Sequence, residues 1–358
     1  MTPSGSRGGG RGATSRLDES DVRVRPGRGT RPRSKRRPEH ADATEAMVVG
    51  VDRGRWTCAP DEDPQRRVVA MRARELGRTP VVVGDRVGLV GDVSGGEDAL
   101  ARIVRVAERR SVLRRTADDT DPYERVVVAN ASHLVIVTAL ADPPPRTGFV
   151  DRALVAAYAG GLEPVLCLTK ADLADPAEFA ANYAALDLTV VVTRADRDPV
   201  ALREVVEDRV SALIGHSGVG KSTLVNALVP DADRAVGEVS GVGKGRHTST
   251  SAVALALPEL PGDGAERGSS RHVSGWVIDT PGIRSFGLAH IAPDDVVAAF
   301  GDLAAAIEEC PRGCGHLGPP ADPECALDAE VAAGRLSPAR LEALRRVLEA
   351  LRTPAWET

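Results

Sequence analysis

The chain has 358 residues, enough for two or three domains, and a formal charge of −5. No apolar run approaches the roughly 18 residues that a membrane-spanning helix needs, and the basic N-terminus has no apolar segment behind it, so neither a membrane span nor a secretory leader is expected. Five cysteines, three of them crowded into one C-terminal segment, argue for a reducing, cytoplasmic setting and a metal site rather than a disulfide framework.

Residues 1–46 are rich in Gly, Ser, Pro and Arg and nearly empty of large apolar side chains. Such a composition buries too little surface to offset its ordering entropy, so a disordered basic tail is expected. Within it Arg31, Arg33, Lys35, Arg36 and Arg37 suit either an electrostatic arm for nucleic acid or a tail that is merely solvated. From residue 47 the texture turns to short β-type runs at 47–51, 67–71, 81–83, 86–90 and 101–106. Val81-Val82-Val83-Gly84-Asp85-Arg86-Val87 reads as a strand, a tight turn and a second strand. This spacing predicts an antiparallel OB-like β-barrel over 47–112. Trp56 is the one aromatic ring of that stretch, so base stacking cannot dominate, and any RNA contact would rest on Arg66, Arg67, Arg109 and Arg110.

Beyond it, strands at 134–137, 164–168, 188–192 and 210–214 alternate with helices at 149–158, 177–186 and 199–208. That alternation predicts a mainly parallel sheet, covered on both faces, over 113–289. Ligands in such sheets bind at the carboxyl ends of the strands. Three motifs fall at such ends. Thr169-Lys170-Ala171-Asp172 resembles the [NT]-K-x-D element that reads guanine, with Asp172 accepting from N1–H and the exocyclic amine, Lys170 lying along the base, and Thr169 standing where Asn is commoner. Gly215-His216-Ser217-Gly218-Val219-Gly220-Lys221-Ser222-Thr223 follows an apolar strand and opens a helix, as a phosphate-binding loop requires. Lys221 would reach the β- and γ-phosphates and the Ser222 hydroxyl would ligate Mg²⁺. Strand 276–279 ends in Asp279-Thr280-Pro281-Gly282, a D-x-x-G element in which Asp279 would hold Mg²⁺ through water and Gly282 N–H would sense the γ-phosphate. The base-reading element precedes the phosphate loop, an order that marks a circular permutation of the usual GTPase sequence.

Near the C-terminus, Cys310, Cys314, His316 and Cys325 form a C-x₃-C-x-H-x₈-C set, a closed tetrahedral complement for one structural zinc ion in a helical segment over 290–358. Helical spacing runs through 294–309 and 338–351, the latter with Arg340, Arg345, Arg346 and Arg352 expected on an exposed face.

Together these stretches resemble the bacterial family of ribosome small subunit-dependent, circularly permuted GTPases (RsgA/YjeQ). The matching runs are Val83–Val87 in the barrel, the 215–223 loop, Gly245-Arg246-His247-Thr248-Ser249-Thr250, and the stretch from Asp279 to Gly287. The resemblance spans roughly 47–350. It implies GTP and GDP as ligands, Mg²⁺ with GTP, and hydrolysis during late maturation of the 30S subunit in contact with 16S rRNA. It also favours the 338–351 arginines as an RNA surface, where the residues alone allow a solvated helix face. Ile283 stands where many GTPases place a water-orienting Gln, so a catalytic group must come from elsewhere; His247 is the candidate, and the resemblance points to it too. Either Thr248 or Thr250 would sense Mg²⁺. The expected molecule is a three-part, multidomain α/β monomer: an OB-like barrel, a permuted P-loop GTPase domain and a helical zinc domain. Two alternatives remain open, a nucleotide-gated rRNA-binding scaffold without turnover and a P-loop ATPase.

Overall fold

The computed structural model describes residues 40–115, 125–230, 232, 252–259, 273–280, 286, 288 and 291–352. The expected sites His247, Thr248, Thr250 and Gly282 lie outside these residues.

The N-terminal strands β1 (Thr44–Asp52), β2 (Arg55–Pro60), β3 (Val68–Arg72), β4 (Arg86–Gly91) and β5 (Ala101–Val106) run in the order β1-β2-β3-β5-β4 and close through a β1–β4 pairing. The sheet therefore returns on itself as a small barrel without open edges. Its interior holds Ala46, Val48, Trp56, Cys58, Val68, Ala70, Val87, Leu89 and Ile103. Side chains alternate along a strand, so Met47 and Val49 of β1 point the other way, into the core of the nucleotide domain. That two-sided burial explains why β1 reads as an unbroken apolar run. Trp56 is buried and donates its indole N–H to the carbonyl of Val81, so it offers no stacking platform.

One barrel expectation is corrected. Val81, Val82 and Val83 do not form a strand; only Val83 bridges, to Val128, because the Val82 N–H is taken by the Asp85 carboxylate at 2.8 Å. In its place the barrel uses β2, whose Arg-Trp-Thr-Cys-Ala-Pro sequence carries no clear alternation.

A hairpin of β6 (Val112–Arg115) and β7 (Arg125–Ala129) leads into the nucleotide-domain strands, which continue the barrel sheet through the pairing of β1 with the strand that begins at Val253. Here β8 (His133–Ala139), β9 (Glu163–Thr169), β10 (Thr189–Val192), β11 (Val210–Ile214) and β13 (Val273–Asp279) are parallel, in the order β10-β9-β8-β11-β13, with β12 (Val253–Pro258) antiparallel beside β13. Every residue of β8 is buried, as a central strand covered on both faces requires. The expected switch at 245–250 runs in sequence towards β12, whose first residue, Val253, pairs with Gly50 of the barrel. The covering helices are α1 (Thr147–Ala159), α2 (Pro176–Ala181), α3 (Val200–Val206) and α4 (Lys221–Leu228). The helix expected over 177–186 instead stops at Ala181 and resumes as a 3₁₀ turn (Ala184–Leu186), because Tyr183 turns inward and is fully buried.

The C-terminal part comprises α5 (Pro293–Val297), α6 (Gly301–Ala304), a 3₁₀ turn (Ala306–Glu309), α7 (Ala326–Ala332) and α8 (Pro338–Glu349). The single helix expected over 294–309 is broken at Phe300, whose extended backbone brings its ring 4.7 Å from that of Tyr158. The arginines of α8 are corrected as well. Arg340 forks onto Asp302, bonds Asp187 and lies over the Phe300 ring; Arg345 bonds Asp328 and the His316 carbonyl; Arg346 bonds the Asn182 carbonyl and lies over the Tyr183 ring. Of the four, Arg352 alone is exposed. Arg340 and Arg346 fasten α8 to the nucleotide domain and Arg345 fastens it to α7 and the His316 loop, so the three do not form an open basic face. No helix of the described residues is long and apolar enough to cross a membrane.

Candidate functional site

The sheet order reverses direction between β8 and β11, the place where open α/β sheets leave a crevice at their carboxyl ends. The loop after β11 occupies it. A Cβ on Gly215 would lie 2.6 Å from the Val137 carbonyl oxygen, so only glycine lets β11 turn there against β8. Gly220, at φ +93°, starts α4 from a left-handed conformation that L side chains rarely adopt, and leaves the first-turn N–H groups of Lys221, Ser222 and Thr223 facing the crevice end. The N-terminus of α4 adds partial positive charge at the same place. Ser217, Gly218, Ser222 and Thr223 are exposed, and Val219 is buried as the loop's anchor. His216 sets its ring 4.2 Å from that of Phe149 on α1.

The Thr169–Asp172 segment lies at the end of β9, next to β8. Thr169 is 4 % exposed, and its hydroxyl donates to the Val219 carbonyl at 2.5 Å, with the Thr138 carbonyl at 3.3 Å. Its side chain is thus turned toward the backbone of the phosphate loop. Lys170 takes a left-handed φ of +57° and directs its ammonium to the Asp142 carbonyl, in the loop that follows β8. Ala171 N–H bonds the Thr193 carbonyl at the end of β10, while Asp172 is exposed. Arg194, forked onto Asp196 at 2.9 and 3.1 Å, also feels the charge of Asp172.

The third element lies at the end of β13. Asp279 forms an ion pair with Lys221, and Thr280, 1 % exposed, donates to the Leu213 carbonyl at 2.5 Å. Three segments that are remote in sequence thereby meet at the carboxyl end of the parallel strands, tied by Thr169 to Val219 and by Lys221 to Asp279.

A second constellation lies in the C-terminal part. The ligand atoms of Cys310, Cys314, His316 and Cys325 all fall within 4.8 Å of one another. His316 Nδ1 is 3.5 Å from Cys310 Sγ and 3.9 Å from Cys325 Sγ. Bond lengths of about 2.3 Å to sulfur and about 2.0 Å to nitrogen give tetrahedral edges of about 3.5–3.8 Å, so the residues fit a small tetrahedral cation. Burial raises the thiols of Cys314 and Cys325, which stay protonated unless a cation compensates their charge. The Ala326 and His316 N–H groups point at Cys310 Sγ (3.3 Å) and Cys314 Sγ (3.4 Å), as donors to thiolates do.

Sequence reasoning missed the residues around this cluster. Asp294 Oδ1 is 2.7 Å from His316 Nε2, and Asp322 accepts from the N–H groups of Gly315 and Leu317 at 2.9 Å each. Asp294, following Pro293, looks like ordinary first-turn acid at a helix start, and Asp322 sits in a Gly/Pro-rich loop with no local signal. Of the arginines expected to meet RNA, Arg109 is forked onto the buried Asp85, Arg66 pairs with Glu62, and Arg67 bonds the Pro64 carbonyl and lies over the Trp276 ring. Arg110 is exposed.

A model of the RsgA GTPase family matches residues 106–289. The "Small ribosomal subunit biogenesis GTPase RsgA" of Chlorobaculum parvum is 37 % identical over 297 residues, covering 80 % of this chain and 90 % of its own. The crystal structure of YjeQ from Thermotoga maritima superposes with a TM-score of 0.59 at 24 % identity, over 86 % of this chain and 98 % of that one. The crystal structure of YloQ, described as a circularly permuted GTPase, gives a TM-score of 0.59 at 22 % identity, over 89 % and 99 %. At these identities the two solved structures speak to the fold.

Proposed function

The chain belongs to the RsgA family of circularly permuted GTPases, and from that premise we propose that it hydrolyses GTP to GDP and phosphate while bound to the small ribosomal subunit, in the maturation of that subunit. The observation that carries the reading is the meeting of residues 169–172, 215–223 and 279–280 at one end of the parallel sheet, joined by the Thr169–Val219 bond and the Lys221–Asp279 pair.

Each element has a distinct task. The loop N–H groups and the start of α4 cradle phosphate oxygens, Lys221 turns from Asp279 to the β- and γ-phosphates, and Ser222 with Asp279 holds Mg²⁺. Mg²⁺, when bound there, would supply positive charge that offsets the charge developing on the phosphates. Asp172 reads guanine through its two adjacent donors. His247 orients the attacking water, with Thr248 or Thr250 sensing the metal and Gly282 the γ-phosphate. Cys310, Cys314, His316 and Cys325 hold one zinc ion with a structural task, since four protein ligands leave no open position. The domains divide at 44–112, 113–289 and 290–358, the first beginning with β1. Contact with rRNA falls to exposed arginines such as Arg53, Arg55, Arg102 and Arg110 of the barrel side.

Base identity is tested by titrating GDP, ADP and xanthosine diphosphate against the native protein and Asp172→Asn. Xanthine carries an oxygen where guanine carries the exocyclic amine, so an amide in place of the carboxylate should favour it. The reading expects GDP to win in the native protein and xanthosine diphosphate to gain at the expense of GDP in the variant. Preference for ADP would overturn it.

A further inference from the structure

A buried guanidinium that the proposed reaction leaves without a task stands at the junction of three parts of the fold. Arg152 on α1 is 5 % exposed. Its Nη1 donates to the carbonyl of Ala350, just past α8, at 3.3 Å, and its Nη2 to the carbonyl of Phe286 at 3.4 Å. Phe149 lies three residues earlier, on the same helix face. Its ring is 4.2 Å from the imidazole of His216 and 5.7 Å from the ring of Phe286. One face of α1 therefore grips the phosphate loop and Phe286 together.

Where Phe286 falls in the chain gives this grip its meaning. The element proposed to sense the γ-phosphate begins at Asp279, and both ends of the segment that contains it are anchored. At its entry, Thr280 donates to the carbonyl of Leu213, two residues before Gly215. At its exit, Phe286 is 1 % exposed, with its ring on Phe149 and its carbonyl on Arg152. Entry and exit are thus both referred to the phosphate loop, the first through Leu213 and the second through Phe149 and His216. Apolar packing alone would hold Phe286 in place while leaving its backbone free to slide. A hydrogen bond from a rigid planar fork to its carbonyl fixes the backbone itself. Burying a guanidinium is costly and seldom adds stability over an apolar side chain, so its presence here points to placement.

Resting on the GTPase reading above, we propose that Arg152 and Phe149 are positioning residues: they fix the exit of the γ-phosphate-sensing segment against the phosphate loop. They set the rate of hydrolysis and the discrimination between GTP and GDP, not the affinity for nucleotide as such. Misplacing a reacting group by about 1 Å costs on the order of a hundredfold in rate, so a remote anchor of this kind has a large lever.

The test uses the full-length chain and its Arg152→Gln, Arg152→Lys and Phe149→Leu variants. It compares GTP turnover with purified small ribosomal subunits against equilibrium binding of GDP and of a non-hydrolysable GTP analogue. The expected result for Arg152→Gln is a kcat lowered about tenfold or more, GDP affinity within about twofold of native, and weakened preference for the GTP analogue, with Arg152→Lys partly restoring the rate. Native kcat in the variants would overturn the proposal. So would a loss of GDP affinity that follows a loss of thermal stability, which is what a purely structural role predicts. Should Arg152→Gln fail to fold, Phe149→Leu carries the same comparison, since it keeps an apolar side chain in the same place. Failure of the native protein to bind or hydrolyse GTP would strike the GTPase reading instead, and would show before any variant is measured.

Discussion

The hydroxyl of Thr169 donates to the carbonyl of Val219 at 2.5 Å, binding the 169–172 segment to the 215–223 loop across the switch point of the sheet. The side chain is almost wholly enclosed, so water cannot replace the bond if it is lost. Thr169→Val keeps the shape and removes the donor, leaving a buried carbonyl short of a partner at a cost of about 1–3 kcal/mol. Nucleotide affinity should fall about fivefold or more, and Thr169→Ser should recover most of it. Fluorescent GDP titration reads both; equal affinities for the native and Val forms would contradict the tether.

His316 presents Nδ1 to the sulfurs and Nε2 to Asp294, the arrangement that fixes a ligand histidine's tautomer and raises its basicity. Asp294→Asn should weaken metal binding about 10–100-fold. The side chain of Asp294 is 70 % exposed, so the fold should survive the change. Competition against a chromophoric zinc chelator gives the affinity directly. Unaltered affinity would remove Asp294 from the site.

Asp85 is fully buried in the barrel wall, accepting from Arg109 Nε and Nη2 at 2.7 and 2.8 Å and from the Val82 N–H at 2.8 Å. Arg109 is held charged chiefly by its hydrogen bonds to Asp85. Removing one member of a buried pair strands the other, so Arg109→Ala should cost about 3–5 kcal/mol. Chemical denaturation followed by far-UV circular dichroism measures it. A change below about 0.5 kcal/mol would mean that the pair is ornamental to the barrel.

Asp151 on α1 lies 3.5 Å from Arg346 and beside the Tyr183 hydroxyl, yet burial outweighs both and pushes its carboxyl up to about 6. An unfolded aspartate titrates near 3.9. The folded state therefore binds this proton more tightly, and the stabilisation is complete below about pH 4 and lost as pH rises through about 6. The effect at neutral pH is at most about 3 kcal/mol. Asp151→Asn should gain stability relative to the native protein as pH rises from about 4 to about 7, since an amide does not titrate. Urea melts across that range would show the difference; a flat difference would contradict the assignment.

The parallel strands were legible in the sequence because burial on both faces writes them as continuous apolar runs, as in Leu134-Val135-Ile136-Val137. The phosphate loop was legible because its glycines act within nine residues. Strand β2 was not, since Trp56 and Cys58 point inward from a stretch whose other residues follow no pattern. Val81, Val82 and Val83 have every local mark of a strand, but their backbone partners are set by Asp85 and Ala129. The arginines of α8 show the general limit most plainly. Helical spacing identifies the face they share, and nothing in it tells that Asn182, Ala185 and Asp187, some 150 residues earlier, cover that face. The same distance in sequence hid Arg152 and its hold on Phe286.

The most direct test of the whole account is phosphate release from GTP and from ATP, each with and without purified small ribosomal subunits. The account predicts release from GTP alone, rising when subunits are added and falling about a hundredfold in His247→Ala. GTP turnover that stays at background with subunits present would contradict it in favour of a nucleotide-gated RNA-binding scaffold, and turnover of ATP would mean that Asp172 does not read guanine.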